Sequence, residues 1–95
     1  MESVDLVEIV VKEAPPDPIT KRVRYVNILA KIGGRVRFIA SFRRKFGCKR
    51  RLDYPYNQEE FDENGVPVAR NTEVDIPGFV RRKMYKCAYA ILFRS

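Results

Sequence analysis

The sequence predicts a small, mainly β protein, built as an antiparallel sheet or a partly open barrel of four or five strands. Two observations support this prediction. A Gly-Gly pair is flanked on both sides by runs rich in β-branched and aromatic residues, and an N-terminal segment, residues 4–11, has the same composition. A chain of 95 residues is long enough for one core, so residues 1–95 are expected to form a single domain. The alternative is an α+β fold with a C-terminal helix.

Residues 4–11 predict the first strand because Val, Leu and Ile dominate them. Three prolines follow within residues 15–18. Each proline lacks a backbone N–H and has a fixed φ, so this stretch is expected to be a stiff connector. It is too short to separate two domains, and the first strand should therefore join the same sheet as the segments that follow.

The central element is a β-hairpin formed by residues 22–32 and 35–45. Gly33 and Gly34 lie between these two runs, and a Gly-Gly pair can adopt the positive φ angles that two-residue hairpin turns require. Side chains alternate between the two faces of such a ribbon, so the turn also sets which residues share a face.

One face of the predicted hairpin is basic. Counting outward from the turn places Arg24 opposite Arg43 and Arg22 opposite Lys45. Like charges directly opposite each other destabilise a sheet, which suggests that an anion covers them. In this register the same face has an apolar centre, formed by Val26, Ile28 and Ile39.

The charge of the chain is concentrated in this region. Residues 19–52 contain twelve Lys or Arg residues and no Asp or Glu, within a chain of net charge +7. Such segregation predicts an anionic partner, and nucleic acid is the leading candidate because Arg and Lys bind phosphates. The predicted phosphate contacts are Arg22, Arg24, Arg35, Arg37, Arg43, Lys45, Lys49, Arg50 and Arg51.

A long loop, residues 47–83, is expected after the hairpin because turn-forming and acidic residues are frequent there. One helical turn over residues 58–61 and a short edge strand over residues 66–68 are predicted within it. Tyr54 and Tyr56 lie beside the basic segment, where an aromatic ring can stack on an exposed base. Sealing the rim of the core is the other role open to these two tyrosines.

The C-terminal segment, residues 79–94, is compatible with two periodicities. Its aromatic and apolar density favours a strand. A helix would instead give one stripe made of Val80, Met84, Cys87, Ala88 and Ile91. In both cases the segment completes the core.

Catalysis is not predicted. The chain has no His, which removes the commonest general base, and its Gly-Gly pair lacks the pattern of a nucleotide-binding loop. No cofactor and no metal site are therefore expected. The carboxylates of residues 59–63, with Glu73 and Asp75, are a weak signal for metal-dependent nuclease chemistry, because acidic residues between turn formers usually serve only solvation.

An intracellular location is expected, cytoplasmic or nuclear. The longest apolar run has seven residues, far below the roughly 20 that span a bilayer, and the acidic N-terminus lacks the features of a secretory signal. No membrane contact is predicted. In that setting Cys48 and Cys87 are expected to be reduced thiols, with a disulfide between them as the alternative.

The sequence therefore predicts a nucleic-acid-binding protein without catalytic activity and with low sequence specificity, because phosphate contacts carry no sequence information. DNA and RNA, single strand and duplex, all remain open at this point. The alternative is a small inhibitor or adaptor that docks its basic face on an acidic protein. An apolar centre within that face would suit such an interface, or a homodimer.

Overall fold

The computed structural model describes residues 6–94, which form an open five-stranded antiparallel sheet with one α-helix packed on one face. Strand order follows the sequence, so every strand pairs with its neighbour in the chain. The elements are β1 Val7–Glu13, β2 Tyr25–Ile32, β3 Arg35–Arg43, β4 Tyr56–Phe61, β5 Pro67–Arg70 and α1 Gly78–Leu92. The predicted mainly β class is confirmed, and the helix is the one that the α+β alternative anticipates. Residues 4 and 5 of the predicted first strand lie outside the described range.

The predicted Gly-Gly hairpin is confirmed as β2 and β3. Gly33 and Gly34 have φ angles of 63° and 82°, the left-handed values that a two-residue turn demands and that glycine adopts without steric cost. Next to the turn, the pairing is the expected one. One pair further along, Arg37 is an extra residue in β3, because Lys31 pairs with Val36 but Ala30 pairs with Phe38. Arg37 therefore forms a β-bulge.

The bulge makes the predicted register wrong beyond this point. Ile28 lies opposite Ala40 and not Ile39, and Arg43 lies opposite Tyr25 and not Arg24. A shift of one residue exchanges the two faces of a strand, since side chains alternate with a period of two. Val26 and Ile28, expected in an apolar centre on the basic face, are instead fully buried in the core. The Gly-Gly turn fixes the pairing of the two strands only as far as the first β-bulge. Counting residues outward from the turn assumes a ladder without bulges, and the predicted pairs beyond Arg37 are therefore shifted.

The core lies between the hairpin and α1. Helix residues Val80, Met84, Ala88 and Leu92, each four positions apart, form a stripe that is buried against the sheet. The sheet contributes Val26, Ile28 and Ala30 from β2 and Phe38, Ala40 and Phe42 from β3. The helix begins after Pro77, so the strand that composition favoured for residues 79–94 is wrong. Within residues 6–94, no helix has the length and apolar character needed to cross a membrane.

The segment 47–83 contains two strands as well as loops. β5 overlaps the edge strand predicted for residues 66–68. Residues 58–61 belong to β4, so the helical turn predicted there is wrong. Backbone N–H groups of Val66 and Asn64 donate to the Asp62 carboxylate at 2.9 Å and 2.8 Å. These hydrogen bonds close the β4–β5 turn and lower the pKa of Asp62, because they stabilise its ionised form.

Truncation of Ile28 tests the face assignment. Ile28→Ala removes a fully buried side chain, and we expect the free energy of unfolding to fall by about 2 to 5 kcal/mol through lost burial and a residual cavity. The matched control is Ile19→Ala, since Ile19 is 88% exposed and its truncation should change stability by less than about 0.5 kcal/mol. Urea denaturation followed by circular dichroism measures both. Equal stabilities of the two variants would contradict the placement of Ile28 in the core.

Candidate nucleic-acid interface

Basic side chains gather at the end of the sheet where β2 begins and β3 ends. Arg24, Arg43, Arg44 and Lys45 line an open cavity of about 540 Å³ there. A neighbouring cavity of about 620 Å³ is lined by more cations, and Arg44 belongs to both. We call this region the basic end. It consists of Lys21, Arg22, Arg24, Arg43, Arg44, Lys45, Lys49, Arg50, Arg51 and Arg94.

A tight loop after β3 presents one part of the basic end. The N–H of Lys45 donates to the carbonyl of Arg51 at 2.8 Å, and Arg44 forms an isolated β-bridge with Leu52. Gly47, with φ of 78°, allows the chain to reverse between them. The two basic runs of the sequence, residues 43–45 and 49–51, therefore lie on two short antiparallel segments beside each other.

A second turn brings in the cations that precede β2. The Asp17 carboxylate accepts hydrogen bonds from the N–H groups of Ile19 and Thr20 at 2.8 Å and 3.0 Å. These bonds, led by that from Thr20, lower the pKa of Asp17 because they favour the carboxylate. An isolated bridge between Pro16 and Val23 closes the turn. Lys21 and Arg22 are exposed just after its tip.

The C-terminus of α1 supplies the third part. Phe93 ends the helix, and the guanidinium groups of Arg44 and Arg50 lie 5.9 Å and 5.7 Å from the centre of its ring. Arg94 lines the same cavity. A cation over an aromatic ring is attracted by the ring's electron density, so Phe93 orients both arginines without neutralising them.

Few carboxylates compensate this charge. In the described part of the chain, residues 6–94, the one ion pair joins Arg43 Nε to Asp53 Oδ2 at 3.2 Å. The Arg43 guanidinium also lies 4.9 Å from the centre of the Tyr56 ring. The Asp17 carboxylate also lies near Arg24, whose charge contributes to its lowered pKa. Clustered cations that outnumber the nearby carboxylates create a positive potential that attracts polyanions.

Seven of the nine predicted phosphate contacts belong to the basic end, and two do not. Arg35 is at the opposite end of the hairpin, beside the Gly-Gly turn, eight residues along β3 from Arg43 and thus roughly 26 Å away. Arg37 is half-buried in the bulge, and its Nε donates to the carbonyl of Phe61 at 2.7 Å. The predicted continuous track along one ribbon face is therefore not the arrangement that forms.

The two tyrosines predicted as candidates for base stacking lie in different parts of the structure. Tyr56 lines the basic cavity, whereas Tyr54, which is 82% exposed, stands beside α1 in a cavity lined by Arg81 and Tyr85. Burial raises the pKa of Tyr56, and the positive charge of Arg43 opposes this shift in part. Tyr25 lines the basic cavity together with Tyr56. The predicted register had placed Tyr25 on the other face of the hairpin.

Sequence reasoning also missed several cations of the basic end. Arg44 lies between two predicted contacts, but the assumed register assigned it to the other face. Lys21 and Arg94 arrive through the Asp17 turn and the helix end. The composition of residues 43–45 was a usable signal for Arg44, whereas no sequence pattern placed Arg94 near it.

The cysteines and the acidic side chains of residues 6–94 lie apart from one another. Among residues 6–94, no three His, Cys, Asp or Glu side chains come close enough together to hold a metal ion. Cys48 is exposed in the loop after β3, Cys87 is half-buried on α1, and they are not bonded to each other. Burial raises the pKa of the Cys87 thiol.

Comparison with known proteins supplies no family for this chain. It matches no protein-family model, no curated protein and no solved structure. Function resides in sites rather than in folds. A function for this protein must therefore be argued from its own side chains.

The two thiols should differ sharply in reactivity. The cysteine thiolate attacks the disulfide of a reagent such as DTNB and releases coloured thionitrobenzoate. Exposed Cys48 should therefore react first and Cys87 at least about tenfold more slowly, because its thiolate is both shielded and scarce. Stopped-flow absorbance at pH 8 should resolve two phases. Cys48→Ser serves as the control, since it should remove the fast phase alone. A fast phase that survives this substitution would contradict the half-buried position of Cys87.

Proposed function

We propose that this protein binds nucleic acid through its basic end and does so without catalysis. The observation that supports the proposal most strongly is the convergence of cations from three separate segments on one end of the sheet, with a single ion pair to offset them among residues 6–94. Crowding like charges is unfavourable in the free protein. A bound polyanion would remove that repulsion, and an intracellular protein meets nucleic acid as its most abundant polyanion.

Binding would proceed through phosphate contacts. Arg24, Arg44 and Lys45 face the open cavity, so phosphate oxygens can reach them without rearrangement of the sheet. A guanidinium can donate two parallel hydrogen bonds to one phosphate, whereas an ammonium acts as a point charge. Counterions released from the nucleic acid would contribute much of the free energy of binding. Because phosphates are the same in every sequence, low sequence specificity is part of the proposal.

The adaptor alternative has lost the feature that favoured it. An apolar centre of Val26, Ile28 and Ile39 within the basic face would have suited a protein interface. Val26 and Ile28 are buried beneath α1 and offer nothing to a partner, which leaves Ile39 of the three on the open face. Phe46 is fully exposed within the basic cavity, but a single aromatic ring among cations also suits contact with bases.

Salt dependence of binding tests the proposal. We expect the purified protein to bind labelled duplex and single-stranded oligonucleotides with micromolar or tighter affinity at ~100 mM salt. Six phosphate contacts on a duplex should give a slope of log K against log salt of about −5. Fluorescence anisotropy between ~50 and 300 mM salt measures it. Binding that vanishes by ~150 mM salt would indicate only nonspecific polycation behaviour and would count against the proposal.

Charge reversal at two positions locates the site. Arg24→Glu with Lys45→Glu removes two phosphate contacts and adds repulsion, so the affinity for duplex should fall at least about 100-fold. The matched control is Arg35→Glu with Lys83→Glu, which changes the net charge equally at exposed positions outside the basic end. Its affinity should fall by less than about fivefold. Equal losses in the two variants would show that overall charge, and not the basic end, drives binding.

A further inference from the structure

The face of the sheet opposite α1 carries a polar cleft that adjoins the basic end. One row of paired residues crosses four strands of this face: Glu13, Asn27, Ser41 and Tyr56. The cleft has a volume of about 520 Å³, within the range of ligand-binding sites. Lys12, Arg70 and Glu59 line its sides, so the cleft is polar and carries charges of both signs.

Two tyrosines stand where this cleft meets the basic cavity. Tyr25 and Tyr56 line both spaces. Each is the first residue of its strand, and the two flank β3 on either side. They lie two inter-strand spacings apart across the sheet, ~10 Å, and are offset by two residues along β3, because Tyr25 pairs with Arg43 and Tyr56 with Ser41. Arg43 lies between them, opposite Tyr25 and over the ring of Tyr56. If the phosphates of a ligand lie at the basic end, the groups attached to those phosphates can reach the two tyrosine rings.

The floor between the rings is a fixed hydrogen-bonded network. The Ser41 hydroxyl donates to Asn27 Oδ1, and Asn27 Nδ2 donates to Glu13 Oε2 at 2.7 Å. Ser41 is buried and its hydroxyl is satisfied by this bond. The network holds the Asn27 amide in one orientation and uses one of its two amide hydrogens. A polar, oriented floor between aromatic rings suits the edge of a nucleobase better than it suits an apolar peptide.

We infer that the open face of the sheet accepts the bases of a single strand of nucleic acid, with Tyr25 and Tyr56 stacking on them while the basic end holds the phosphates. This inference rests on the proposed function and specifies its ligand. In a duplex the bases are stacked on one another and their faces are out of reach, whereas a single strand can splay them onto aromatic side chains. Stacking tolerates every base, so the platform remains compatible with low sequence specificity.

Removal of the two rings tests this inference. The probes are a labelled 12-nucleotide oligothymidylate and a 12-base-pair duplex, measured by anisotropy at the same salt. Tyr25→Leu and Tyr56→Leu keep apolar bulk but lose the aromatic face, so each should weaken single-strand binding by about 5- to 100-fold. Duplex affinity and its salt slope should stay within about twofold of the unmodified protein.

Three controls separate stacking from other roles. Tyr25→Phe and Tyr56→Phe retain the ring and should bind the single strand within about threefold of the unmodified protein. Tyr54→Leu removes a tyrosine that lines neither space and should leave both affinities unchanged. Thermal unfolding of every variant checks the fold. A Leu variant that loses duplex and single-strand binding equally would overturn the inference, because loss of local structure then explains the result.

Failure of this inference is distinguishable from failure of the proposed function. If the unmodified protein binds duplex with the expected salt slope, shows no preference for the single strand and is insensitive to both Leu substitutions, the stacking platform is excluded and the basic end stands. If it binds neither probe at ~50 mM salt, the proposed function falls and the inference falls with it. A preference for the single strand that both Leu substitutions abolish supports the two together.

Discussion

The β-bulge at Arg37 decides which side chains of the central hairpin form the core and which stay at the surface. With the extra residue in β3, Phe38, Ala40 and Phe42 come to lie on the same face as the apolar residues of β2. Without it, period-two alternation would direct all three of these β3 side chains away from α1. The bond from Arg37 to the Phe61 carbonyl ties the bulge to the next strand, so the arginine serves the sheet and not the surface.

The same bulge determines the composition of the candidate site. Because the core face takes the apolar residues, Tyr25, Asn27, Ser41 and Arg43 all fall on the open face. The placement of Ser41 and Arg43 beside Asn27 and Tyr25 therefore follows from one inserted residue some six positions away from Arg43. Two further irregularities, between Val11 and Glu13 and between Ile39 and Ser41, bring Glu13 and Tyr56 into the same row. Loops complete the arrangement, since the Asp17 turn and the loop after β3 close over the strand ends and expose their cations there.

The fold was predictable where short-range chemistry decides it. The Gly-Gly turn, the β-rich runs and the absence of acidic residues from 19–52 gave the hairpin and its charge. The bulge was not predictable, because it satisfies long-range packing against α1 and leaves no turn signature in the sequence. The helix was ambiguous for a related reason. Tyr85, Tyr89 and Phe93 give the segment a composition typical of a strand. The helix is stabilised because its stripe of Val80, Met84 and Ala88 packs on the apolar face of the sheet, a long-range contact that the local sequence does not show.

The site was predictable in composition but not in shape. Counting charges along the sequence identified most residues of the basic end. Arg35 and Arg37 belong to the same basic segment, yet they lie elsewhere in the structure. Sequence distance also hid Arg94, which reaches the basic end only because the helix runs back across the sheet. A basic segment therefore indicates the kind of partner, whereas the register and the helix together determine which cations that partner meets.

Arg43 shows how a weak interaction can organise the whole site. Its ion pair with Asp53 is partly exposed on both sides, so solvent screens it and its contribution to stability is small. The pair nevertheless fixes the guanidinium over the Tyr56 ring, at the point where the basic cavity meets the polar cleft. Among residues 6–94, the other cations of the basic end form no ion pair, so salt should act on them in two opposite ways: it relieves their mutual repulsion in the free protein, and it weakens their attraction for a polyanion. Repulsion of this kind is a cost to the folded protein that a bound polyanion would offset, which is why these cations, more than the ion pair, support the proposed function.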